Sequence, residues 1–255
     1  MSDNFNRVMF KEQAKNVLRH NYWIPFLVCL IASVFGVFGG GAGGSAGGGG
    51  GSAGNSYSES TSGSEMDWNF ILIMIAIVLI VTLVLFAIGM AVTCFLTNPV
   101  LVGMNRYFMK HRKMDDTSSV GDLFSVFRKN QYMDAVKTMF LYRIKIFLWS
   151  LLFIIPGIIK SYEYYFVPYI MAENPNIDSK RAFEISKFMT DGHKFDIWVV
   201  GLSFLGWTLL GILCCGIGTY FLLPYMQATY AEMYAERREY AIGQGFTSAS
   251  ELTGF

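Results

Sequence analysis

From Phe70 to Phe95 the chain carries no ionisable side chain except Cys94. That run is longer than the roughly 20 apolar residues that take an α-helix across a bilayer. Lipid or another protein must cover so much apolar surface. The rest of the chain points the same way: 53% of residues are hydrophobic and 15% charged, against about one quarter charged in soluble domains. The expected class is an all-α integral membrane protein. A net charge of +1 says little in total, and no nucleic-acid partner is expected.

The other segments can be taken in order. Residues 1–21 suit an amphipathic surface helix, with Phe5, Val8 and Met9 on one face and Lys11, Lys15 and Arg19 mostly elsewhere. Asn21-Tyr22-Trp23 brings interfacial aromatics ahead of a first span, Trp23 to Phe38. About 20 residues, including Asp3 and Glu12, precede this span. That stretch is too long and too acidic for a signal peptide, so the span is expected to stay uncleaved. Residues 39–67 are Gly- and Ser-rich and cannot bury a core, which predicts a disordered outer loop closing a first hairpin over 22–103. Arg106, Lys110, Arg112 and Lys113 then form a basic cluster suited to anionic lipid headgroups or to anchoring topology. Val120, Leu123, Phe124 and Phe127 follow the i, i+3, i+4, i+7 helical template.

Residues 139–172 read either as one span with a Tyr-rich interface or as two arms turning at Pro156-Gly157. The same choice recurs at Cys214-Cys215-Gly216-Ile217-Gly218. Lys and Arg favour the cytoplasmic side of membrane helices. With a hairpin at both places, all of the chain's 20 Lys/Arg except Lys160 fall on one side. A four-span layout would put Lys180, Arg181, Lys187 and Lys194 outside. The layout is therefore six transmembrane helices as three hairpins, each preceded by a cytoplasmic amphipathic surface helix, with both termini cytoplasmic. The second hairpin and its surface helix fill 104–173, the third fill 174–236, and a tail follows over 237–255. In the surface helix Ser179–Met189, Ala182, Ile185 and Met189 should turn toward the bilayer or the bundle, with Ser186 toward solvent.

The second arms share a pattern. Phe95-Leu96-Thr97-Asn98-Pro99, Tyr165-Phe166-Val167-Pro168 and Tyr220-Phe221-Leu222-Leu223-Pro224 each put Pro after an aromatic–apolar run, with Gly103, Ala172 or Ala228 following. The pattern predicts a weak three-fold repeat, with turns and kinks at Pro99, Pro156, Gly157, Pro168 and Pro224.

Further motifs occur in order: Ile155-Pro156-Gly157-Ile158-Ile159-Lys160-Ser161-Tyr162, Ala172-Glu173-Asn174-Pro175-Asn176, Ala182…Ser186…Met189…Gly192-His193-Lys194 and Ser203-Phe204-Leu205-Gly206-Trp207. Through them residues 140–236 resemble domain-of-unknown-function family 975, an uncharacterised family of bacterial integral-membrane proteins. More distantly, the middle portion resembles the membrane domain attached to some glycerophosphodiester phosphodiesterases. The resemblance implies a multi-pass protein of the bacterial plasma (inner) membrane and brings no activity. The phosphodiesterase chemistry belongs to a separate domain that has no counterpart here.

No Walker A loop, HExxH, GxSxG or paired metal-ligand spacing occurs. The four cysteines read as structural, and no cofactor, metal or catalytic residue is expected. The candidate polar pocket or pathway is Lys160, Glu163, Tyr164, Tyr165 and Tyr169, because a Lys–Glu pair at i, i+3 shares a helical face. The competing reading makes Lys160 a snorkelling residue near the outer surface among belt tyrosines. Two function classes follow. One is a non-enzymatic membrane scaffold or accessory subunit offering basic amphipathic helices to lipids or to a membrane or cytoplasmic protein partner. The other is a small-molecule or lipid transporter with a pathway among the Pro-containing helices.

Overall fold

A computed structural model describes residues 7–37, 68–112, 118–128, 132–213 and 216–252. The Gly-rich loop, Lys113 and Cys214-Cys215 lie outside the described residues. What is described is helical, with no strand. The α-helices are α1 (Arg7–His20), α2 (Trp23–Val34), α3 (Trp68–Val92), α4 (Asn98–His111), α5 (Ser125–Arg128) and α6 (Tyr132–Leu152). The series continues with α7 (Ile154–Glu163), α8 (Val167–Glu173), α9 (Ser179–Thr190), α10 (Lys194–Leu213) and α11 (Ile217–Gly243).

Two helices are long and apolar enough to cross a membrane: the continuous rod Ile71–His111 and Lys194–Leu213. A third is added if α1 and α2, bent by 104° at their junction, count as one span. Six full-length spans are therefore not found among the described residues. α2 has 12 residues, and the arm expected as one helix over 158–172 is broken into α7, of 10 residues, and α8, of 7.

The rod contains a π-helical turn, Thr93–Thr97, immediately before Pro99. Proline has no N–H for the carbonyl four residues back, and that carbonyl, Phe95 O, instead accepts the Tyr132 hydroxyl at 2.7 Å. Thr97 Oγ1 donates to Phe35 O at 2.8 Å and ties the same turn to the end of α2. The carbonyl that Pro99 leaves free is thus satisfied by a neighbour, and the helix continues through it. Pro168 stands at the start of α8, where a missing N–H costs nothing, while Pro224 lies inside α11.

The second turn differs from its expected form. The chain reverses at Phe153, whose backbone is extended (φ −155°, ψ 140°). Pro156 and Gly157 stand inside the first turns of α7 instead. The first helical N–H groups have no partner anyway, so proline fits there. Gly157 is needed for space: a Cβ would come within 2.5 Å of Ser150 Oγ and 2.7 Å of Ser150 Cα across the hairpin. The third turn falls where expected, with Gly216 in the left-handed region (φ 76°).

The segment Val120–Phe124, expected as an α-helix, is a 3-10 turn leading into α5. It lies so close on α4 that a Cβ at Gly103 would sit 1.9 Å from Leu123 O. Gly103, Ala172 and Ala228, the small residues that follow the three prolines, all sit in the interior. Among Gly201, Gly206 and Gly211, only Gly211 meets neighbouring backbone closely, 2.8 Å from Thr219 N. Five-residue spacing turns about 140° per step, so the three share no face.

The core joins Phe10 and Ala14 of α1, Met104 and Tyr107 of α4, Met139 of α6, all of α8, Ile185 and Met189 of α9 and Met233 and Tyr234 of α11. Residues 237–252 are not a free tail. α11 runs on to Gly243, and the following turn folds back so that Phe246 stacks on Phe188 of α9 at 4.1 Å and Leu252 is buried.

Candidate functional site

α9 begins where Asn174 Oδ1 accepts the Asn176 N–H at 3.0 Å and the Asp178 carboxylate caps Lys180 N at 3.2 Å. Its inner face carries Ala182, Ile185 and Met189 as expected, but also Ser186 and Thr190, all fully buried. Ser186 therefore does not face solvent. Its position follows from the break between α7 and α8. Ser186 Oγ donates to Glu163 O at 2.9 Å and accepts the Phe166 N–H at 3.2 Å. Thr190 Oγ1, which donates to Ser186 O at 3.0 Å within α9, shares that proton with Glu163 O at 3.2 Å. Two hydroxyls on α9 thus satisfy the backbone groups freed where the arm breaks.

At that break the Glu163 carboxylate is buried and forked. Lys160 Nζ lies 2.8 Å from one oxygen and Lys194 Nζ 3.2 Å from the other. Lys160 also stands 5.5 Å from the Trp149 ring centroid, and Lys145 lies 3.6 Å over the Phe183 ring of α9. Of the candidate tyrosines, Tyr164 meets Phe183 edge-on at 4.9 Å and Tyr165 meets Tyr230 edge-on at 5.6 Å. Tyr169 stacks on Tyr234 at 5.3 Å. The structure therefore brings Lys160 and Glu163 together as expected and adds Lys194. It turns Tyr165 and Tyr169 into the packing between α8 and α11 and away from the Lys160–Glu163 pair.

A second ionic centre was not anticipated. The buried Glu173, ending α8, accepts the Tyr234 hydroxyl and Arg238 Nε, each at 2.6 Å. Arg238 also donates to Leu252 O at 2.8 Å. Arg181 of α9 pairs with Glu251 at 2.7 Å, and Asn174 donates to Glu251 O at 2.9 Å. The Arg181 hydrogen bond holds the Glu251 carboxyl below its ordinary range, and Glu251 raises Arg181 in turn. At the C-terminal end of α4, Lys110 binds Asp122 at 2.6 Å and Arg112 binds Glu232 at 2.5 Å. Those two cations serve carboxylates of their own chain. Only Ala172-Glu173-Asn174 hinted at this network, since a charged residue at the end of an apolar arm needs a partner.

No group of three or more His, Cys, Asp or Glu able to hold a metal occurs among the described residues. An open groove of about 810 Å³ lies beside α1, lined by Glu12, Lys15, Asn16, Arg19, Tyr22 and Tyr225. The sites found are ion pairs and aromatic contacts that join helices to one another. No curated protein and no solved structure matches the chain. Residues 151–240, which contain the α7–α8 break, the Glu163 fork and the Glu173–Tyr234–Arg238 contacts, match a family described as protein of unknown function (DUF975).

Proposed function

We propose that this chain is a non-enzymatic membrane scaffold or accessory subunit of a bacterial plasma membrane, with both termini on the cytoplasmic side. One observation carries the reading: no described side chain of α3 is buried, and large apolar residues such as Leu72, Leu79, Leu83 and Leu85 are exposed on it. It extends directly from α4, which is packed into an ion-paired base. A fixed base that carries an apolar helix all of whose faces are open is suited to lipid on one side and a partner's helix on another. The transporter reading has less support, because Lys160 and Glu163 are committed to each other and to Lys194.

The test is a photoreactive residue at Leu79 or, about 200° round the helix, at Val81, activated in native membranes. A discrete protein adduct from one face of α3, with lipid adducts from the opposite face, is the expected result. Lipid adducts alone from every face would overturn the scaffold reading.

A further inference from the structure

We infer that the α6–α7 hairpin is a wedge that enters a single leaflet from the side of α9 and does not cross the membrane. Its occupant is the acyl-chain region of that leaflet. The inference rests on the membrane reading above and goes beyond it in fixing depth.

The Glu163 fork carries the argument. Lys194 opens α10, beside α9, whose outward face holds the exposed Lys180, Glu184 and Lys187. Lys160, expected near the opposite surface, binds the same carboxylate as Lys194, at 2.8 Å against 3.2 Å. Two ammonium groups on one carboxylate stand at one depth. Lys145, on the other arm, rests on Phe183 of α9 at 3.6 Å and so belongs to this level too. The three lysines collar the hairpin.

Beyond the collar the hairpin changes character. Residues 142–146 are buried or half-buried, whereas every residue from Phe147 to Phe153 is exposed. On the returning arm Ile155, Ile158 and Ile159 are exposed as well. Apart from Ser150 this surface is wholly apolar, and the close approach of Gly157 to Ser150 keeps the arms together. From Lys145 to Leu152, at 1.5 Å per residue, the tip projects about 10 Å. A hydrocarbon core is about 30 Å thick, so the tip ends within the first leaflet. Cations at the headgroup level and an apolar tip of that depth together fit an anionic lipid surface.

The experiment uses the full chain with Cys29, Cys94, Cys214 and Cys215 replaced, carrying one new cysteine at a time. Phe153→Cys should resist a membrane-impermeant maleimide in right-side-out and inverted vesicles alike. With a fluorophore attached, it should be quenched more by acyl-chain nitroxides than by headgroup nitroxides, in phosphatidylcholine–phosphatidylglycerol liposomes. Lys160→Cys should react from the same side as Lys180→Cys. Reaction of Phe153→Cys from the side opposite Lys180→Cys would make the hairpin a pair of spans and overturn the inference. Reaction from the same side, or protection without quenching, would place the tip in water or against protein and overturn it equally. Val81→Cys on α3 separates the two readings. Loss of nitroxide quenching there would sink the membrane reading itself, whereas Val81→Cys quenched and Phe153→Cys exported would sink only the wedge.

Discussion

Gly103→Ala should destabilise this protein although alanine is the better helix former. Glycine inside a helix costs about 1 kcal/mol relative to alanine, so an open site would gain from the change. At position 103 the new Cβ would lie 1.9 Å from Leu123 O and 2.6 Å from Leu123 C. Restoring ordinary contact means opening α4 from the 3-10 turn by about 1.5 Å. Both sides are backbone, so no rotamer can yield. The turn is also held by Lys110 on Asp122 at 2.6 Å and by Phe35 edge-on to Phe124 at 5.9 Å. Overpacking of this kind costs about 1–3 kcal/mol and sometimes more. With backbone on both sides we take the upper end, leaving a net loss of about 2 kcal/mol. Thermal unfolding in detergent should show a midpoint about 5 °C or more lower. Gly206→Ala is the matched control, because nothing lies within 4 Å of its Cβ. It should be neutral or gain up to about 1 kcal/mol. If Gly103→Ala were as stable as Gly206→Ala, the close approach of α4 to this turn would be refuted.

Ser186→Ala should cost about 1–3 kcal/mol, since it strips a buried donor from Glu163 O and an acceptor from Phe166 N. Ser186→Asp should be about as damaging as Ile185→Asp, and a Ser186→Asp protein with the folded yield of the wild type would contradict the buried position. Glu163→Ala should lower stability by about 1 kcal/mol or more, read by denaturant titration, because it leaves two ammonium groups facing each other unpaired; no change would mean that the fork is not populated. Glu251 makes the fold acid-sensitive. Its folded pKa lies below the usual carboxyl value, so its stabilising effect is full above that value and is lost as pH falls through the lowered one. Unfolding midpoints measured from neutral pH down to acid should fall more steeply in the wild type than in Arg181→Ala, where only the Thr247 and Ser248 hydrogen bonds still hold Glu251 down, and equal acid slopes would count against the pairing.

Much of the layout was legible because it depends on periodicity and composition. The all-helical class, the rod through Asn98-Pro99 and the inner face of α9 at Ala182, Ile185 and Met189 all follow from local spacing. The turn at Phe153 did not. Pro-Gly is a strong turn signal, yet proline is equally at home in the first turn of a helix, and only the neighbouring arm shows that Gly157 is there to make room for Ser150. Ser186 reads as a polar position on an amphipathic helix until the break at residues 164–166 supplies the backbone groups it satisfies. The Glu173–Arg238 and Arg181–Glu251 pairs join residues more than 60 positions apart, beyond the reach of any local pattern. Of the candidate site, the Lys160–Glu163 pair was visible because i, i+3 neighbours meet on any helix. Lys194 was not, because its approach depends on how α10 packs.

That third partner shows what charge counting can and cannot decide. The bias of Lys and Arg toward one side constrains which loops share a side, and so the parity of crossings between them. It does not constrain depth. A hairpin that crosses twice and a wedge that never crosses return the chain to the same side, so both leave the 104–138 and 174–196 segments together. The two layouts differ only in residues at the hairpin itself, and there the one informative charge is Lys160. Under two full crossings it is the single cation of the 20 Lys/Arg on the far side. Bound with Lys194 to Glu163, it stands at the level of Lys194, and in the wedge layout the exception disappears. The positive-inside pattern that favoured hairpins over a four-span chain thus holds more fully for a shallow second hairpin than for the two full spans it first implied.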